Sequence, residues 1–279
     1  MKLYKKGSQI LLDHDGSFYQ LNYDWDQLVN RKNLYLFLKN NLNSFQQVNS
    51  LDETLNFDPP IGSQELWAAG VTYLRSKEAR EKESADSGGG SFYDKVYEAK
   101  RPELFFKSLP SRISGQRSNV HIRKDSSWDV PEPELTLFIS SNCTIEGYAI
   151  GNDMSSRSIE GENPLYLAQA KVYDRSAALG PCLLVLENSI SLETIIQLKI
   201  FRNGHEVFTG DTAISKMKRS LQELANYLFL ETSFPNGVML MTGTGIVPPD
   251  DFTLQENDSI EIFITGIGTL INYVKKNNK

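Results

Sequence analysis

The run PEPEL at residues 131–135 sets Glu132 and Glu134 two positions apart, and a third carboxylate, Asp153, follows before Arg157 and Lys171. Side chains two apart on a strand share a face, with backbones roughly 7 Å apart, so the two glutamates suit joint coordination of one ion. Pro133 between them has no N–H to give a ladder, which makes the strand an edge or a bulge at that point. Taken alone, such a pair is most simply a solvated strand edge. The sequel changes this reading. Residues 144–151 read as a strand ending in Asn152-Asp153, which puts a third carboxylate at a strand terminus, where sites are commonly built.

Three carboxylates with no neighbouring His or Cys select a hard cation over zinc or copper. Mg²⁺ is the default because it keeps open water positions for a substrate, with Mn²⁺ or Ca²⁺ as substitutes. Arg157 is placed to clamp a substrate carboxylate bidentately, or equally to pair with Glu160 or Glu162. Lys171 lies in an apolar context between Ala170 and Val172, and a desolvated lysine beside a dication is a candidate base. The combination points to metal-assisted chemistry on a small anionic substrate.

The rest of the sequence narrows the classes. A net charge of −6 argues against a nucleic-acid partner, which wants clustered Lys and Arg. Two cysteines imply neither a disulfide framework nor structural zinc. No stretch approaches the roughly 20 apolar residues of a membrane span, and the N-terminus lacks a secretion pattern, so the expectation is a cytoplasmic protein with no membrane partner. The three histidines are scattered, and neither a nucleophile elbow, a phosphate loop nor a dinucleotide fingerprint is present.

Short apolar runs, a helical stretch at residues 34–42 and a closing Asp58-Pro59-Pro60 suggest a small N-terminal domain over 1–60, with the remainder, 61–279, as the main domain. A strand is expected at 65–71. A polar span over 75–100, helical on both sides of Ser87–Ser91, reads as a lid or a surface excursion. Asn203-Gly204 supplies the positive-φ pair of a type I′ hairpin within 198–208, a helix is expected over 218–230, and a strand alternates over 259–265. The fold class is α+β, mostly antiparallel β with a few helices.

The runs PEPELTLF, IGNDMSSRSIEGENPLYLAQAK and ALGPC, with MTGTGIVPP and GIGTLINYV, resemble the fumarylacetoacetate hydrolase superfamily from about Ile61 to Val274. YDKVYEAKRPELFFK at 93–107 and ENPLYLAQAKVY are closest to its 2-keto-3-deoxy-D-arabinonate dehydratase branch. The resemblance implies a mixed β-sheet barrel or roll with a small N-terminal domain, usually as a homo-oligomer (dimer or tetramer). It implies Glu132, Glu134 and Asp153 as ligands of Mg²⁺, Lys171 as the active-site lysine and Arg157 as the arginine of the ND-x-S-x-R motif. It further implies Glu103 as a carboxylate facing the site, and Thr72, Tyr73, Gly243 and Thr244 as substrate contacts.

Hydrolases of the superfamily carry G-x-N-Y-x-x-H followed by Glu, a pair that activates water. Here the stretch is Gly70-Val71-Thr72-Tyr73-Leu74-Arg75-Ser76, with Ser76 in the place of the histidine. Without that base, dehydration of a 2-keto-3-deoxy sugar acid to 2,5-dioxopentanoate is expected over acylpyruvate or diketo-acid hydrolysis. An oxaloacetate-type decarboxylase stays open, and a catalytically silent scaffold is disfavoured because nothing would then preserve clustered like charges.

Overall fold

Asn203 and Gly204 both take positive φ (52° and 80°) and join two of the longer strands in a hairpin, as their side chains require. The structure is a computed structural model describing residues 1–49, 56–77 and 90–277. In chain order its strands are β1 Lys2–Lys6, β2 Gln9–His14, β3 Ser17–Leu21, β4 Gln46–Val48, β5 Glu65–Gly70, β6 Glu103–Ser108, β7 Ile113–Ser114 and β8 Ser118–Ile122. They continue with β9 Asp129–Ile139, β10 Ile145–Ser156, β11 Ala177–Leu184, β12 Ile195–Arg202, β13 His205–Ala213, β14 Val238–Met241, β15 Ser259–Ile264 and β16 Gly268–Lys276. The helices that matter below are α1 Trp25–Val29, α2 Leu34–Asn41, α3 Gly90–Glu98, α4 Arg157–Glu162, α5 Leu167–Lys171 and α6 Leu221–Leu228. None of the described helices is long and apolar enough to cross a membrane.

Two mixed sheets result. The larger runs β4-β3-β2-β1-β11-β10-β9-β14-β5-β6, with β7 parallel to β11, and the smaller runs β13-β12-β15-β16-β8. Period-two alternation fixes which residues face which layer. Leu135, Leu137 and Ile139 of β9 join Ile196, Leu198, Ile260 and Ile262 of the small sheet in one core. Phe138, Ala149, Met239 and Met241 point the other way and pack with Leu28, Leu34 and Leu38 of the N-terminal helices in a second. The N-terminal segment adds its strands to the large sheet through β1, whose Leu3 pairs Leu183 of β11.

Two expectations shift. The helix expected over 218–230 is shorter, because Ser220 accepts the Glu223 N–H at 3.1 Å and so begins α6 at Leu221. Asp153 does not end its strand: β10 runs on to Ser156, held by pairing with β9 as far as Ser156–Asp129. The edge required by Pro133 is local. Beyond Thr136 the partner β14 stops, so Pro131 and Pro133 occupy the half of β9 whose second side carries no strand among the described residues. Helix flanks the polar span at 74–77 and in α3, while residues 78–89 of the expected lid lie outside the described residues.

Candidate active site

The face of the large sheet that buries Phe138, Ala149 and Met241 continues along the same strands as a polar site. Counting by twos from Phe138 reaches Glu134 and Glu132; from Ala149 it reaches Asp153; from Ala68 it reaches Gly70. Register sets Asp153 opposite Glu132. One oxygen from each of Glu132, Glu134 and Asp153 lies within 4.8 Å of the others, and all three residues are buried.

Burying three carboxylates together is unfavourable unless positive charge answers them. Glu134 registers that cost: desolvation, then the charges of Asp153 and Glu132, hold its carboxyl well above the usual carboxylate range. Its Oε2 accepts the Gly243 N–H at 2.6 Å. Gly243 has φ +91°, which favours glycine, and an added Cβ there would strike the Thr72 side chain.

Three cations answer the three acids. The Lys171 ammonium, on the last residue of α5, donates to Glu132 Oε2 (2.7 Å), Asp153 Oδ2 (3.1 Å) and Ser155 Oγ (2.5 Å). Arg157 Nη2 donates to Glu132 Oε1 at 2.8 Å. Arg157 therefore backs a carboxylate of the triad. The third cation is Lys107, which the sequence reading passed over. Its ammonium reaches Asp153 Oδ1 at 2.5 Å and donates to the Met154 and Lys171 carbonyls, so it ties β10 to the end of α5. Burial, opposed by Asp153 and reinforced by Lys171, pushes its pKa down to about 8. A usable signal was present, since Glu103, Phe105 and Lys107 fall at every second position of one strand.

A small cleft opens over these groups. It is lined by Glu132, Glu134, Asp153 and Lys171 together with Ala69, Gly70, Val71, Ser76, Phe105, Gly243 and Thr244. Of the expected substrate contacts, Gly243 and Thr244 line it. The Thr72 hydroxyl donates to the Thr242 carbonyl at 2.7 Å, and the Tyr73 hydroxyl is buried without a hydrogen-bond partner among the described residues. Burial and the Glu134 charge raise the Tyr73 pKa. Ser76 holds the wall, its hydroxyl donating to the Tyr73 carbonyl at 2.8 Å. Glu103 stands across the sheet from Gly70, paired with it in register, and its carboxylate lies over that glycine, which lines the cleft.

All-oxygen donors at this spacing, without a nitrogen or sulfur ligand, fit a hard divalent cation. A family profile described as Fumarylacetoacetate (FAA) hydrolase C-terminal matches residues 66–275. The chain belongs to that family. It is 47% identical over 218 residues to a probable 2-keto-3-deoxyxylonate dehydratase of Haloferax volcanii, covering 77% of this chain and 73% of the other. Over 242 residues it is 43% identical to the 2-dehydro-3-deoxy-D-arabinonate dehydratase of Saccharolobus solfataricus, covering 85% and 79%. Its fold matches a solved 2-keto-3-deoxy-D-arabinonate dehydratase complexed with magnesium and 2,5-dioxopentanoate, with TM-score 0.86, 35% identity and full coverage of both chains.

Proposed function

We propose that this protein is a magnesium-dependent hydro-lyase that dehydrates a 2-keto-3-deoxy sugar acid of the 2-keto-3-deoxy-D-arabinonate kind to 2,5-dioxopentanoate. The observation that carries the reading is the buried Glu132–Glu134–Asp153 triad with the Lys171 amine set between two of its members. The dehydratase relatives and the magnesium complex of the solved neighbour support the substrate class.

Glu132, Glu134 and Asp153 would hold the ion, which when bound supplies Lewis-acid polarisation of a chelated 2-keto acid. Lys171, having given up a proton to become the neutral amine, takes the proton from C3, with the Ser155 hydroxyl beside it to hold its place. The electron pair of the broken C3–H bond passes toward the 2-keto group. It returns as the C4–O bond breaks, and Glu103 delivers a proton to the departing hydroxyl, which leaves as water. Tautomerisation through the C5 enol then gives the aldehyde. The reverse assignment of the two proton transfers uses the same atoms. Gly243 keeps Glu134 in place through its N–H, and Arg157 does the same for Glu132.

Ser76 in the cleft wall supports dehydration over hydrolysis, since a serine bonded to the Tyr73 carbonyl does not supply a water-activating imidazole. The decarboxylase alternative requires the same polarised keto acid but no acid at C4, so Glu103 separates the two. Purified protein is incubated with Mg²⁺ and 2-keto-3-deoxypentonates, acylpyruvates and oxaloacetate in turn. Semialdehyde from the first substrate alone is the expected result; turnover of either other class in its place reverses the assignment. The same proposal takes the enzyme as a cytoplasmic homo-oligomer, which light scattering and fractionation check.

A further inference from the structure

A backbone and a carboxylate lie close together at Gly70 and Glu103. Gly70 ends β5 and pairs Glu103, the first residue of β6. A Cβ built on Gly70 would stand 2.6 Å from the Glu103 Cδ and nearer still to its Oε2, far inside van der Waals contact. The space that any other residue would fill with its first carbon is filled here by the Glu103 carboxyl group. Directly cross-strand side chains ordinarily stand side by side. With no side chain at 70, Glu103 folds over its neighbour, toward a glycine that itself forms part of the cleft wall.

We propose that Gly70 is a positioning residue, whose missing side chain seats the Glu103 carboxylate at the edge of the cleft. The proposal rests on the reading of Glu103 as the acid that acts at the C4 hydroxyl. The atoms displaced by a methyl at 70 are the far end of a flexible side chain, not backbone, so the substitution moves the carboxylate and leaves the sheet standing. Glu132, Glu134 and Asp153 lie on other strands and keep their places.

The test is a cycle of Gly70→Ala, Glu103→Gln and the double variant, each assayed with Mg²⁺ and a 2-keto-3-deoxypentonate. Gly70→Ala is expected to lower kcat on the order of 10²-fold with KM and Mg²⁺ affinity little changed, as a misplaced proton donor does. The double variant is expected to be no slower than Glu103→Gln alone, because the two changes remove one function. Multiplying losses overturn the proposal, as does a Gly70→Ala enzyme with the parent kcat. If Glu103→Gln turns over at the parent rate, the acid role of Glu103 fails separately; a crystal structure of Gly70→Ala then decides, with a displaced carboxylate upholding the seat and an unmoved one refuting it. Should Gly70→Ala melt early, adding Glu103→Ala is expected to restore the melting temperature by vacating the space, and failure to restore it counts against the proposal.

Discussion

One face of the large sheet has two halves built on the same strands. In the apolar half, Phe138 of β9, Ala149 of β10 and Met239 and Met241 of β14 pack under the N-terminal helices. A few residues along, the same strands present Glu132, Glu134 and Asp153, equally buried, with Lys107, Arg157 and Lys171 around them. Backbone, pairing and burial are alike in the two halves. What differs is whether burial itself stabilises. Apolar groups gain by leaving water, whereas charges lose by it and are held by one another. The second half thus keeps its electrostatic energy for a ligand, and its stability is conditional on charge balance.

Perturbing the charged half should change chemistry most. Lys171→Met is expected to lower kcat by about 10²–10⁴-fold, the usual worth of a placed acid or base, with the circular dichroism of the magnesium form unchanged. A loss of Mg²⁺ binding in that variant instead makes the lysine structural. Lys107→Met leaves Asp153 with one cationic partner in place of two. Urea melts of the metal-free variant should show a loss of roughly 3–5 kcal/mol, the cost of breaking a buried pair. Added Mg²⁺, binding only the folded state, should recover more stability in this variant than in the parent, which equal recovery would contradict.

In the apolar half, Phe138→Ala should cost about 3–5 kcal/mol in the same melts with kcat preserved below the melting temperature. A fall in kcat would mean the halves are mechanically coupled. The smallest effect concerns Asp129, which begins β9. Burial holds its carboxyl at about 6, above its ordinary 3.8. A carboxyl raised on folding contributes stability that is complete below its ordinary pKa and lost as pH climbs through the folded one. Asp129→Asn should therefore flatten the stability curve between about pH 4 and 6, and gain on the order of 1–3 kcal/mol above that window. A slope unchanged by the substitution removes Asp129 as its source.

How much of this was legible in the sequence follows the same division. The hairpin at Asn203-Gly204 and the alternating β15 were readable because turn chemistry and period two act locally. The spacing of Glu132 and Glu134 fixed their shared face, and Pro133 announced the stretch of β9 that is paired on one side alone among the described residues. That Asp153 lies opposite Glu132 is a matter of register between strands, which no local pattern encodes. Alternation placed Lys107 on the face of Glu103, but that it finds Asp153 depends on the order of strands in the sheet. Arg157 was read as a substrate clamp or a partner of Glu160 or Glu162, and its bond to Glu132, 25 residues away, comes only from the fold. Gly70 drew no attention because its effect is an absence, visible only once Glu103 lies across it.

The central claim is that the buried carboxylates are a cation site shared with Lys171, and a crystal structure grown in magnesium tests it most directly. The expected result is one ion about 2.0–2.1 Å from an oxygen of each of Glu132, Glu134 and Asp153, with the Lys171 ammonium moved off at least one of its two carboxylates. Lys171 still bridging Glu132 and Asp153 at saturating magnesium, with no ion among the three side chains, would contradict it.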